Sequence, residues 1–340
     1  MKVLVLGASG FIGGAVARRL IERGDEVTVL LRDPGATLAG ATVARGDLGD
    51  PASIASAAEG VDAVVSAAGI VSPRAAARAL RWTHVAGTEN VVNACRHAGV
   101  RRLVHVGCSD ATLTNADRVH WDEGRHLPQP FGERAQTLAL AEEIALSAEL
   151  EVVALRPAWV WGPGDTSRLP SLCREALAEG GLRLCGDGET FLATVYIDNL
   201  VDVVVRALEA SEASARAYYV ADPEVLHARE VFRMWSEALG LPPPQGGSRW
   251  LSWPLAALRG RGPAGLTPDE VILRTRSSLF DVNAAIGKLA FEPKVTFEAG
   301  VRALASWVEA QGGASELAKL ERAPAQASSV DAQVTAAGGD

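Results

Sequence analysis

Lysine and tyrosine are scarce in this 340-residue chain: the lysines are Lys2, Lys288, Lys294 and Lys319, and the tyrosines are Tyr196, Tyr218 and Tyr219. No uninterrupted apolar run approaches the roughly 18 residues of a membrane-spanning helix, so no integral membrane segment is expected. The opening Met1-Lys2-Val3-Leu4-Val5-Leu6 reaches Gly7 after too few apolar positions for a signal peptide, which makes the cytoplasm the expected compartment. Cys95, Cys108, Cys173 and Cys185 have neither CxxC spacing nor a histidine cluster beside them, so buried, reduced thiols are expected and a metal centre is not. The formal charge of −8 comes without a basic block. Nucleic acid and anionic membrane surfaces are therefore poor partners, and a small molecule is the expected one.

What is present points to a globular α/β chain. With 48% hydrophobic and 22% charged residues it can bury a large core without covalent staples. Strand-length apolar runs at 2–6, 26–31, 63–67, 102–107 and 151–155 alternate with helix-period segments, the pattern of right-handed βαβ units and a parallel sheet. Val3-Leu4-Val5-Leu6 and Val152-Val153-Ala154-Leu155 are apolar at successive positions, as strands covered by helices on both faces should be. A doubly wound sheet follows. Past Pro157 come a Gly/Pro turn at 162–165, a helix over 169–178, a strand over 192–196 and a helix over 198–208; helices then predominate. Residues 1–165, with 198–222 returning to them, are assigned to a nucleotide-binding core, and 166–197 with 223–311 to a substrate lobe. The segment 312–340 is rich in small and polar residues and is expected to be a disordered tail.

Gly7-Ala8-Ser9-Gly10-Phe11-Ile12-Gly13 follows the first strand and opens a helix. The first glycine suits a tight turn, the second a close approach to pyrophosphate and the third helix packing, with the helix N-terminus facing the phosphates: a Rossmann dinucleotide site. The strand ending at Leu31 is followed by Arg32, where an NAD site would place an acid. A guanidinium there can take the 2′-phosphate of NADP(H), so NADP(H) is expected over NAD(H). Asp33 would reverse that preference if it turned inward.

These residues resemble the extended short-chain dehydrogenase/reductase family, which includes sugar-nucleotide epimerases and dehydratases, 3β-hydroxysteroid dehydrogenases and dihydroflavonol reductases. The likeness runs to about Gln311. It continues through Leu31-Arg32-Asp33-Pro34, Gly46-Asp47-Leu48, Ala67-Ala68-Gly69, Gly87-Thr88-Glu89-Asn90-Val91, Arg156-Pro157-Ala158-Trp159-Val160-Trp161-Gly162-Pro163-Gly164 and Tyr196-Ile197-Asp198-Asn199. The resemblance implies that Asp47, Leu48, Ala67, Ala68, Gly69, Pro157 and Val160 join the glycine motif in holding the cofactor. It also implies a Ser/Thr after the fifth strand and a Tyr-x-x-x-Lys pair on the next helix. Ser109 is the candidate for the first, with Asp110 beside it. The pair is missing. In one register Phe131 and Ala135 replace it; in another, anchored on Ala141-Glu142, Arg134 and Leu138 do.

Three readings remain open. One is a reductase that transfers hydride to an activated substrate and obtains its proton elsewhere. The second is an NADP(H)-binding sensor without turnover, and the third a non-redox cyclase or lyase in the same cleft. Ser109 ranks first among replacement groups, Asp110 second and His84 third; His105 and Asp198 read as structural, and His120, Asp122, Glu123 and His126 as a loop that either borders the substrate or is solvated. Phe131, Trp159, Trp161 and Tyr196, together with Trp121 and an apolar cluster at Trp250, Leu251, Trp253, Pro254 and Leu255, suggest a flat or greasy secondary metabolite, quinone or steroid-like substrate. The helices near 74–97 and 132–148 are alanine-rich, and the resemblance makes them a possible homodimer contact.

Overall fold

A computed structural model of the chain describes residues 1–72, 74–125, 129–247 and 266–320. His126, the cluster from Trp250 to Leu255 and residues 321–340 lie outside the described residues.

The elements follow in order as β1 (Lys2–Leu6), α1 (Phe11–Arg23), β2 (Glu26–Leu31), β3 (Thr42–Arg45), α2 (Pro51–Ala58), β4 (Ala63–Ser66) and α3 (Ala77–Leu80). A π-helical turn, Arg81–Ala86, joins α3 to α4 (Gly87–Ala98). Then come β5 (Arg102–Val106), β6 (Arg118–Trp121), α5 (Glu133–Leu146), β7 (Glu151–Pro157), β8 (Trp159–Trp161) and α6 (Leu169–Glu179). The chain continues through β9 (Thr194–Tyr196), α7 (Ile197–Ala207), β10 (Arg216–Val220), α8 (Ala228–Leu239) and β11 (Ser278–Phe280), with further helices at Pro268–Thr275, Asn283–Leu289, Phe297–Ala310 and Ala314–Lys319. Seven strands form one parallel sheet in the order β10-β7-β5-β4-β1-β2-β3. Two small parallel pairs, β8 with β9 and β6 with β11, stand apart from it.

Alternation along β1 explains its unbroken apolar run. Val3 and Val5 enter a core with Val16, Ala17 and Leu20 of α1 and Leu200, Val203 and Val204 of α7. Leu4 and Leu6 face the opposite way, onto Ile54 and Ala58 of α2 and Val91 and Cys95 of α4. Both faces are thus covered, which is why no polar position interrupts the strand. The order of the strands reverses at β1 and β4, so the loops leaving their carboxyl ends open a crevice where such sheets bind ligands.

The tail expected over 312–340 needs correction at 312–320, the part of it that is described. Helix Ala314–Lys319 buries Ala314 and Leu317 in the main core, and Arg174 on α6 donates to the carbonyls of Ala318 at 2.9 Å and Leu320 at 3.1 Å. Small residues on one face of a single turn were enough to dock it, despite a composition without aromatics.

Candidate active site

A cavity of about 1240 Å³ opens at the carboxyl ends of β1, β4 and β5. Gly7, Ser9, Gly10, Phe11, Ile12, Arg32, Asp47, Leu48, Ala67, Ala68, Gly69, Pro157 and Val160 all line it. Gly13 does not; it lets α1 pack, since a Cβ there would stand 2.3 Å from the Gly7 oxygen. Gly7 has φ +82°, and a Cβ would meet the Ala67 backbone at 2.8 Å.

The residues fit a dinucleotide at its adenine and phosphate end. Helix α1 starts at Gly10 with no side chain capping it and no acid in its first turn, so its free amides face the cavity without a competing partner. Arg32 lines the wall with its Nε 3.7 Å from Asp47 Oδ2. Asp33 has turned away: its Oδ1 accepts the Gly35 amide at 2.8 Å. Arg45 braces that loop from below, donating to the carbonyls of Asp33 and Ala36.

At the other end the cavity meets a different chemistry. Among the described residues none of the four lysines or three tyrosines lines it. Helix α5 presents Arg134, Leu138 and Ala141 to the cavity, whereas Ala135 is buried with Leu113 and Ile272. Phe131 packs on that same small cluster and is not among the lining residues. Glu142 binds Arg156 of β7 through two hydrogen bonds of 2.8 and 2.6 Å, and this buried pair sets the rotation of the helix. Arg134 and Leu138, not Phe131 and Ala135, therefore face the cleft four residues apart.

Arg134 is held by Asp110, whose Oδ2 accepts from its Nη1 at 2.7 Å. Its second nitrogen reaches Cys108 Sγ at 3.9 Å. Burial alone would push the Asp110 carboxyl up, but Arg134, Arg168 and Arg118 outweigh it and hold the group at about 2. Asp110 is then a carboxylate throughout the working range and has no proton to donate, which corrects its candidacy as an acid. Ser109 also needs correction: it begins a buried 3₁₀ turn, its carbonyl accepts from Thr112 and Arg118, and the cavity is lined by Gly107 and Cys108 instead. Sequence reasoning missed Cys108 because a serine stood next to it.

His84 lines the cavity from the π-helical turn. Its Nε2 accepts the Ile70 amide at 3.0 Å, so the ring proton sits on Nδ1, which donates to Thr137 Oγ1 at 2.9 Å; Thr137 donates onward to the Arg134 carbonyl at 3.0 Å. Burial first, then Arg134 and His105, lower its pKa to about 4. It is a neutral spacer that fixes the Arg134 turn.

Of the aromatic residues expected around the substrate, Trp161 and Tyr196 are buried in the core and Trp159 packs against it. Trp161 packs against Tyr196, Trp235 and Phe297 with centroids 5.3, 5.6 and 4.6 Å away, and Trp159 packs on Phe232 and Trp235. None of Trp159, Trp161 and Tyr196 lines the cavity. Helix α8 and helix Phe297–Ala310 fold over these rings, a long-range packing that their local sequence does not announce.

Residues 3–221 match the NAD dependent epimerase/dehydratase family. The chain is 33% identical over 330 residues to a 2-alkyl-3-oxoalkanoate reductase of Stenotrophomonas maltophilia (strain K279a), covering 89% of this chain and 98% of the relative. It is 27% identical over 321 residues to a 4-hydroxy-2-methyl-3-oxo-4-farnesyl-3,4-dihydroquinoline-1-oxide ketoreductase of Stigmatella aurantiaca, covering 89% and 96%. In fold it is similar to DesIV, a dTDP-glucose 4,6-dehydratase from Streptomyces venezuelae with NAD and TYD bound, at TM-score 0.74 and 24% identity over 92% of this chain and 98% of that one.

Proposed function

Because the chain belongs to the NAD dependent epimerase/dehydratase family, we propose that it is an NADP(H)-dependent reductase that adds hydride to a ketone on an apolar carbon skeleton without a tyrosine acid. The observation that carries this reading is Arg134, a buried guanidinium presented to the cofactor-fitting cavity from the helix where a proton donor was expected. The two reductases similar to this chain are named for substrates with a 3-oxo group, a 2-alkyl-3-oxoalkanoate in one and a farnesyl-bearing dihydroquinoline oxide in the other, which supports the same chemistry here.

The cofactor, when bound, supplies hydride. The free amides at the start of α1 would hold its pyrophosphate, and Arg32 its 2′-phosphate, with Asp33 out of the way. Arg134 donates to the substrate oxygen and stabilises the alkoxide that develops there as the carbonyl carbon gains hydride. Asp110, beside it, keeps the guanidinium charged, so the proton that completes the alcohol comes from water. Cys108 lines the same end and shapes it. Leu138, which can hold no ribose hydroxyl, favours a second reading, an NADP(H) sensor without turnover.

Titration with NADPH and NADH, followed by cofactor fluorescence, tests the cofactor assignment. Arg32→Ala should weaken NADPH by roughly tenfold or more and leave NADH nearly unchanged, as loss of a charge-assisted contact to phosphate predicts. Equal affinities in the wild type would refute it. For the chemistry, Arg134→Lys keeps a charge beside Asp110 but loses the fork of donors; turnover of a 3-oxo ester should fall about 10²-fold. Undiminished turnover would remove Arg134 from the mechanism.

A further inference from the structure

Arginine is in excess where the cavity meets α6. Arg134, Arg168 and Arg118 all act on the single carboxylate of Asp110. Arg134 and Arg118 already commit donors to protein, the first to Asp110 and the Ile70 carbonyl, with N–H groups of its five left over, and the second to the Ser109 carbonyl and Thr112. Arg168 does not. It lines the cavity, its nearest acid is Asp110 at 3.7 Å, and its guanidinium makes no hydrogen bond to a described residue. The other neighbouring acid, Asp269, is pushed up to about 6 by burial and is still mostly ionised near neutral pH, so Asp110 and Asp269 together offset two of the three guanidinium charges and one remains.

The arginine is also built into place. Buried Asp165 accepts through one oxygen from the Ser167 amide at 2.8 Å, the Ser167 hydroxyl at 2.7 Å and the Arg168 amide at 2.9 Å, locking the turn before α6. The Arg168 guanidinium lies over the Trp159 ring, 4.9 Å from its centroid. A cation held flat on an indole, beside a cavity and short of hydrogen-bond acceptors, is ready for an anion.

We propose that Arg168 is the carboxylate anchor of this site: for a 3-oxo acid, the class for which the similar reductase is named, it holds the carboxylate while Arg134 takes the ketone oxygen. The inference rests on the reductase reading and deepens it. Hydride addition to such an acid creates a second negative charge close to the first, and the two charges repel. A pair of guanidiniums, one per charge, offsets that repulsion as it develops. A neutral ketone of the same shape has no use for Arg168.

The test compares freshly prepared 3-oxododecanoate with its ethyl ester, binding each to full-length protein loaded with NADP⁺ so that no turnover intervenes. Tryptophan fluorescence reports occupancy, because Trp159 lies beneath the anchor. The wild type should prefer the acid by roughly 10- to 100-fold, the range of a hydrogen bond to a charged group. In Arg168→Gln that ratio should collapse towards unity, and Arg168→Lys should restore part of it. Equal binding of acid and ester by the wild type overturns the proposal even if a variant fails to fold. So does an Arg168→Gln protein that keeps the preference while losing NADPH affinity, which would assign the arginine to a cofactor phosphate. Selective binding of the acid without its reduction would refute the reductase reading and leave the anchor standing; reduction of acid and ester with equal binding would do the reverse.

Discussion

Asp110 and Arg134 meet at 2.7 Å with less than a tenth of either residue exposed, so each is the other's reason for being charged. Removing one partner of such a pair leaves an uncompensated buried charge, and Asp110→Asn should cost about 3 kcal/mol in a urea unfolding curve. A loss under about 0.5 kcal/mol would mean the pair is solvated. The pH dependence has a definite sign. The folded carboxyl titrates at about 2, below its unfolded value of about 3.9, so its contribution is complete above that value and is lost as pH falls through 2. The wild type should lose stability in that window more steeply than Asp110→Asn. His84 should show no ring titration by NMR between about pH 5.5 and 8, because burial and the Arg134 charge keep it neutral. At this scale the sequence led to the cavity wall at Arg32 and Asp47, whose places follow from a strand end and a short turn. It misled at Ser109 and Asp110, because which of three adjacent side chains enters the cavity depends on where the 3₁₀ turn begins.

Backbone constraints made the glycine loop readable, since turn, phosphate approach and helix packing each demand a missing Cβ at a fixed spacing. Gly13→Ala sets a carbon 2.3 Å from the Gly7 oxygen, so α1 must move off β1. We expect a loss of about 1–3 kcal/mol in thermal or urea unfolding and weakened NADPH binding together. An alanine variant with wild-type stability and affinity would show that the contact relaxes freely. Helix α5 was legible as a helix but not in its rotation, because its apolar residues are spread around it and mark no single face. The deciding contact is Glu142 with Arg156, a pair on separate elements that only the folded sheet brings together. Helix Ala314–Lys319 was missed for a related reason: its stability comes from α6, not from its own composition.

Across the whole molecule, the parallel sheet places the glycine loop, the Ala67-Ala68-Gly69 turn and the start of the turn after β5 around one crevice. That arrangement followed from the alternation of strands and helices. The lining of the substrate end did not, because Trp159 and Trp161, which looked like part of a binding wall, pack under α8 and helix Phe297–Ala310, elements far along the chain from them. What that end presents to a ligand is a pair of cations, Arg134 and Arg168, beside apolar side chains such as Ile70 and Leu138. The central claim is hydride transfer to a ketone in that cationic cleft without a tyrosine acid. It is tested most directly by single-turnover oxidation of NADPH deuterated at the transferred position, with a 3-oxo acid as substrate and mass analysis of the product. The account predicts one deuterium on the carbinol carbon of a 3-hydroxy acid and an about 10²-fold slower reaction in Arg134→Lys. A transformed product free of deuterium, formed equally well with a non-reducible cofactor analogue, would contradict it.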